Sequence, residues 1–262
     1  MTTHHKTLSF QDSNGRTVSG ILAQPSPRTG QIVVLCHGFL SNKQSNTNRR
    51  LTELLTERGI STFAFDWFGM GESDGRFADL TIDICCDELA QALTFVRENG
   101  YTRIGLVGSS YGGLIATLIA ARDSKLAALG LKCPVPDFPE MLRLEFGQEA
   151  MDRWQSTGEI PDVTGSEHPI ELRYGFYENC LTYDAYTAAE AITTPTIIVH
   201  GDADELVPIH QITGLERALS GDTQLRLLPG ANHHFGKPDD FRTMTTSLAD
   251  WMTHYVTQCT RH

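Results

Sequence analysis

The residues best placed for chemistry are Gly108-Ser109-Ser110-Tyr111-Gly112-Gly113. In the register G-x-S-x-G, Gly108 and Gly112 flank Ser110, whereas Ser109 would need glycines where Val107 and Tyr111 stand. Ser110 is therefore the candidate nucleophile. A serine held in a strained turn needs neighbours without side chains, so that strand and helix can approach and the hydroxyl can project. The apolar run Ile104-Gly105-Leu106-Val107 before it and the helical run from Leu114 to Arg122 after it predict strand, sharp turn and helix, the context of a nucleophile elbow. The competing reading is a Ser-rich βα turn with no chemistry.

A serine hydroxyl is a poor nucleophile at neutral pH, so Ser110 requires a base, and the base an orienting acid. Both are expected downstream in this chain order. His200-Gly201-Asp202-Ala203-Asp204-Glu205-Leu206-Val207-Pro208 follows the apolar segment Thr196–Val199, and Pro229-Gly230-Ala231-Asn232-His233-His234-Phe235 follows Gln224–Leu228. Each sets short polar residues at the C-terminal end of a strand, where open α/β sheets build their sites. Asp137, soon after Leu126–Leu131, is a further candidate for the acid. His233 and His234 have no third ligand at zinc-like spacing, so no metal is expected. His37 and His200 read as strand-end histidines that hydrogen-bond neighbouring loops.

These side chains have to be positioned by a scaffold, and its elements are visible in the hydrophobic pattern. Two alternating segments, Lys6–Phe10 and Thr17–Leu22, flank the turn signal Asp12-Ser13-Asn14-Gly15 and predict an antiparallel hairpin. Pro25-Ser26-Pro27-Arg28-Thr29-Gly30 predicts a break before Ile32–Cys36, a continuous apolar run suited to a strand covered on both faces. Further strands are expected at Ser61–Phe65, Arg103–Val107, Leu126–Leu131, Thr196–Val199 and Gln224–Leu228. Helices are expected near Arg49–Arg58, Ile82–Glu98, Leu114–Arg122, Ile209–Leu219 and Asp240–Thr257. This alternation predicts an α/β fold with a mostly parallel, doubly covered sheet. It fails between Pro134 and about Ala191, where Pro134, Pro136, Pro139, Pro161 and Pro169 interrupt short mixed segments, and so long an irregular interval reads as an inserted subdomain. Its aromatic residues, among them Phe138, Phe146, Trp154, Tyr174, Phe176 and Tyr177, are expected mainly to form its own small core, with a few lining an acyl or aromatic pocket.

Composition sets bounds. With 262 residues, 40% hydrophobic and 20% charged, the chain suits one large α/β domain with an insertion. The net charge of −11 repels polyanions and makes nucleic acid an unsuitable partner. No stretch reaches the apolar length of a membrane span, and Met1-Thr2-Thr3-His4-His5-Lys6 leads into no apolar signal region. The expectation is a cytoplasmic protein without stable membrane association. Cys36, Cys85, Cys86, Cys133, Cys180 and Cys259 show neither metal spacing nor disulfide density and read as reduced thiols.

His37-Gly38-Phe39, Asp66-Trp67-Phe68-Gly69-Met70-Gly71-Glu72-Ser73-Asp74-Gly75, the Ser110 elbow, His200 to Pro208 and Gly230-Ala231-Asn232-His233 occur in an order that resembles the α/β-hydrolase superfamily. The resemblance is narrower to its serine-aminopeptidase-like branch, with monoacylglycerol-lipase-like and feruloyl-esterase-like enzymes, and it covers nearly the whole chain. It implies an N-terminal core part over 1–133, an inserted cap over 134–191 and a C-terminal core part over 192–262. It implies Ser110 as nucleophile, Asp204 as acid, three residues after Gly201 with Val207-Pro208 following, and His233 as base, with His234 a flanking pocket residue. Asp202 is the rival acid, or a residue that holds its loop by bonding backbone amides. The backbone N–H groups of Phe39 and Tyr111 are the implied oxyanion donors, and no cofactor is implied. The expected activity is hydrolysis of small to medium acyl or aromatic esters, with peptide, amide or thioester cleavage as the alternative on the same fold and a catalytically silent binding protein below both. The Asp66 loop reads as a tight structural loop beside the site.

Overall fold

The computed structural model describes residues 2–161 and 170–258. Met1, Pro169 and Cys259, and the stretch 162–169 of the expected cap, lie outside the described residues. In chain order the core elements are β1 (Thr2–Gln11), β2 (Thr17–Ser26), β3 (Gln31–Cys36), α1 (Asn46–Glu57), β4 (Ser61–Phe65), α2 (Ile82–Glu98), β5 (Arg103–Ser109), α3 (Tyr111–Ala120) and β6 (Ala128–Lys132). The interval after Pro134 contains α4 (Phe138–Thr157), the two-residue strands β7 (Glu159–Ile160) and β8 (Ile170–Glu171), α5 (Gly175–Cys180) and α6 (Ala185–Ala189). The core resumes with β9 (Thr196–Gly201), α7 (Ile209–Ala218), β10 (Thr223–Leu228) and α8 (Pro238–Thr257).

Eight strands form one sheet in the order β1-β2-β4-β3-β5-β6-β9-β10. The β1–β2 and β2–β4 pairs are antiparallel and all the others parallel. The hairpin turn is built by Asp12, whose carboxylate accepts the N–H groups of Asn14 and Arg16 at 2.9 and 2.8 Å while Gly15 takes a positive φ of 77°. The expected break at Pro25 is displaced, because β2 continues to Ser26 with Pro25 opposite Thr3 of the edge strand. A proline is tolerated there because the edge ladder can forgo one donor.

Both faces of the sheet are covered, which is why β3 reads as unbroken apolar sequence. Ile32, Val34 and Cys36 join a core with α2 and α3, whereas Val33 and Leu35 join a second core with α1 and α8. Helix starts follow capping chemistry. Ser45 accepts from Asn48 N–H, Thr81 from Ile84 N–H and Asp137 from Glu140 N–H at the starts of α1, α2 and α4. Helix α4 bends at Gly147, whose φ is 72°, and α3 begins at Tyr111, three residues earlier than its apolar run suggests. Among the described residues no helix is long and apolar enough to cross a membrane.

Candidate active site

The elbow is assembled by close backbone approach. β5 ends at Ser109, α3 begins at Tyr111, and Ser110 between them has φ 53° and ψ −115°, a conformation unfavourable for a residue with a side chain. A Cβ on Gly108 would stand 2.3 Å from the Gly112 carbonyl oxygen, and one on Gly112 would stand 2.5 Å from that of His37. Only glycine permits the strand, the turn and the β3 loop to converge this tightly. The Ser110 N–H is held by the Lys132 carbonyl at 2.8 Å, which ties the turn to the end of β6.

Three sequence candidates converge around this turn. His233 Nε2 lies 3.0 Å from Ser110 Oγ, and His233 Nδ1 lies 2.8 Å from Asp204 Oδ2. The other Asp204 oxygen accepts the N–H groups of Leu206 and Val207, each at 2.9 Å, so the carboxylate is fixed by its own loop. Burial alone would raise the Asp204 carboxyl, but the hydrogen bond and charge of His233, with the Val207 amide, hold it well below the usual carboxylate range. His233 is buried, and that burial together with the Lys132 ammonium outweighs Asp204 and lowers the imidazole to about 4.

The rival acids are occupied otherwise. Asp202 accepts the Gly230 N–H at 2.6 Å, bracing the loop that carries His233, and Asp137 caps α4. His234 is exposed, its ring centroid 5.3 Å from that of His233, rather than lining a closed pocket. His37 is buried and joins neighbouring loops, its Nε2 accepting the Trp67 N–H at 3.2 Å and its carbonyl the Trp67 indole N–H at 2.9 Å. Burial lowers its imidazole to about 4.

The loop after β3 lies directly against the nucleophile, since a Cβ on Gly38 would stand 3.5 Å from Ser110 Cβ. Phe39 follows it, and Leu40 has a positive φ of 52°. The loop is anchored by Asp66, which accepts the Lys43 N–H at 2.6 Å, the Glu72 N–H at 2.9 Å and the Lys43 ammonium. A Cβ on Gly71 would collide with the Asp66 carboxylate at 2.1 Å, which explains the glycine in that turn. The Tyr111 N–H, as the first amide of α3, has no acceptor within its helix. Beyond this point stands an aromatic wall: the Phe39 ring lies 5.4 to 5.7 Å from the rings of Phe77, Tyr111, Phe138 and Phe176. Phe138 and Phe176 come from the inserted interval and are buried, so that segment packs against the rings of Phe39 and Tyr111.

Two residues named from the sequence, Cys133 and His200, lie beside Asp204, a proximity sequence reasoning does not give. Cys133, just past β6 and at a positive φ of 40°, faces the carboxylate, and burial pushes its thiol to about 12. His200 Nδ1 stands 3.5 Å from Asp204 Oδ2. Ligand atoms of Cys133, His200 and Asp204 all lie within 4.8 Å of one another, but the aspartate is already committed to His233 and two amides. The signal available for Cys133 was its place at a strand end beside the site. Phe235, two residues past His233, also has a positive φ of 52°.

Comparison with known proteins identifies relatives of this chain. The model of a family described as "Alpha/beta hydrolase family" matches residues 33–243. The palmitoyl-protein thioesterase ABHD10, mitochondrial, of Rattus norvegicus is 24% identical over 228 residues, covering 83% of this chain and 74% of the relative. The structure of Est1E from Butyrivibrio proteoclasticus with bound ferulic acid superposes with a TM-score of 0.83 at 22% identity, covering 96% of this chain and 100% of that one. Mouse ABHD10 superposes with a TM-score of 0.76 at 20% identity, covering 94% of this chain and 97% of the other.

Proposed function

The chain belongs to the alpha/beta hydrolase family, and from that premise we propose that it is a serine hydrolase cleaving carboxylic esters of small to medium acyl or aromatic acids. The observation that carries the proposal is the Ser110–His233–Asp204 relay at 3.0 and 2.8 Å. His233 Nε2 takes the proton of Ser110 Oγ as the oxygen attacks the acyl carbonyl carbon. Asp204 holds the ring with Nδ1 protonated and offsets the charge of the imidazolium that forms. The N–H groups of Phe39 and Tyr111 receive the developing oxyanion, and loss of one such donor costs about 3 kcal/mol in the transition state. His233 returns the proton to the leaving alkoxide, and water hydrolyses the acyl-serine by the same relay.

Phe39, half-buried in the loop against Ser110, and the aromatic acid bound in Est1E support an aromatic or short acyl group. Thioester cleavage is the second reading, favoured by the thioesterase name of the rat relative, and it would use the same acyl-serine. The interval 134–191 is proposed as the cap. The five buried free thiols among the described residues support a reducing, cytoplasmic location, while the printed name of the rat relative assigns that protein to mitochondria.

The test combines intact-protein mass spectrometry after fluorophosphonate treatment with hydrolysis of p-nitrophenyl acetate, butyrate and octanoate and of an acyl-CoA. One adduct, mapped to Ser110 and absent in Ser110→Ala, with turnover that depends on chain length, is the expected outcome. Turnover retained by a folded Ser110→Ala removes Ser110 from the role of nucleophile, and acyl-CoA preferred over every ester makes the enzyme a thioesterase.

A further inference from the structure

Lys132, the last residue of β6, touches both reacting partners. Its carbonyl accepts the Ser110 N–H at 2.8 Å, and its Nζ donates to the His233 carbonyl at 2.5 Å. The residue is only 6% exposed, and Nζ lies 5.4 Å from the ring centroid of Phe235. Burying an ammonium is costly unless hydrogen bonds and opposite charge compensate. A carbonyl and an aromatic face compensate only partly, so a neutral residue at this strand end would be cheaper for folding alone.

We propose that Lys132 is a positioning residue for the general base: it fastens the His233 loop to the nucleophile turn and sets its ammonium group against the His233 backbone. The proposal rests on the Ser110–His233–Asp204 reading. The other titratable groups around His233 are Asp204, Glu205 and His200 from β9 and the loop after it, Cys133 next to Lys132, and His234 on its own loop. Glu205 accepts the His233 N–H at 3.1 Å. Asp204 favours the imidazolium, and Lys132, bonded to the His233 carbonyl, opposes it. The consequence is a ring that stays neutral, and so able to accept the Ser110 proton, at pH values where an ordinary histidine is protonated. Burial and the lysine act in the same direction on the ring, which is why its removal is expected to leave a displaced but not an ordinary histidine.

The experiment is the pH profile of kcat/KM on p-nitrophenyl acetate for the wild type, Lys132→Met, Lys132→Gln, Lys132→Arg and Ser110→Ala, with thermal unfolding recorded alongside. In the neutral variants the acid limb is expected to move up by roughly one pH unit, with Lys132→Arg keeping the wild-type limb. The plateau of Lys132→Met is expected to fall about tenfold, and Lys132→Gln, which retains a donor, less. A folded Lys132→Met or Lys132→Gln with an unmoved acid limb overturns the proposal, as does a Lys132→Arg limb displaced like theirs. An active Ser110→Ala overturns the nucleophile assignment instead, so the two failures are distinguishable. A measurement on the wild type covers the case in which neither neutral variant folds. The His233 ring, followed by NMR, must titrate well below 6.5, and a value there or above overturns the proposal.

Discussion

Adding one methyl group at Gly108 should disable the site while leaving the fold in place. In Gly108→Ala the new Cβ would begin 2.3 Å from the Gly112 carbonyl oxygen and 2.7 Å from Gly113 Cα, against an ordinary contact of about 3.4 Å. The obstacle is backbone on both sides, so β5 and the first turn of α3 must separate by about 1 Å, the difference between those distances. Ser110 rides on that turn, and an equal displacement would stretch its 3.0 Å contact with His233 to about 4 Å, beyond a hydrogen bond. Misplacement by 1 Å costs on the order of 10²-fold in rate, while overpacking of this kind costs about 1–3 kcal/mol of stability, which a domain of this size can survive. The matched control is Gly175→Ala, where an added Cβ meets nothing within 4 Å. Both variants would be assayed for kcat/KM on p-nitrophenyl acetate, for the rate of fluorophosphonate labelling and for thermal unfolding. Labelling of Gly108→Ala at the wild-type rate would refute the link between elbow spacing and nucleophile position.

Two further outcomes follow from the partners of buried carboxyl groups. Asp204→Asn should lower kcat by on the order of 10⁴-fold, since an amide cannot hold the same imidazole tautomer, whereas Asp202→Asn should cost little because its oxygen can still accept the Gly230 N–H; the reverse order in steady-state rates would give the acid role to Asp202. Glu88 is 1% exposed and accepts the Phe68 N–H at 3.0 Å, and burial raises its carboxyl to about 8. The folded state therefore holds this proton above the pH at which the unfolded chain releases it, so stability drains away as pH rises from about 4.5 towards 8. Glu88→Gln should widen its advantage in Tm over the wild type between pH 5 and pH 9, and a gap that does not change with pH would contradict the buried-acid account.

The scaffold was legible wherever burial on both faces wrote a simple pattern. Ser61–Phe65 and Ile82–Glu98 coincide with β4 and α2, because a short apolar run between turns and a long amphipathic stretch behind Thr81 each have one stable outcome. Strand ends were read short at Ser109, Lys132 and Gly201, where polar or small residues continue the ladder into the site. The Ser110 turn was legible because its glycines are imposed by neighbours close in sequence. Proximity in space was not. Nothing local indicates that Cys133 meets Asp204, that Lys132 bonds the carbonyl of His233, or that Glu88 lies under the Phe68 amide, since each pairing depends on how distant strands and loops are stacked. The inserted interval resisted for a related reason: α4 is broken at Gly147, and its contacts are shared between its own core and the rings of Phe39 and Tyr111.

Among the described residues, the non-glycine positions with positive φ are Leu40, Ser110, Cys133 and Phe235, and all four belong to the loops that surround the relay. Each such conformation costs of the order of 1–3 kcal/mol and persists only because its surroundings enforce it. The molecule therefore concentrates these unfavourable conformations where the reaction would occur. Heating or mild denaturant should release these loops ahead of the sheet, so inactivation would precede loss of helical signal. Conversely, substitutions that tighten remote parts of the scaffold have room to extend the working temperature range without touching a group that meets substrate.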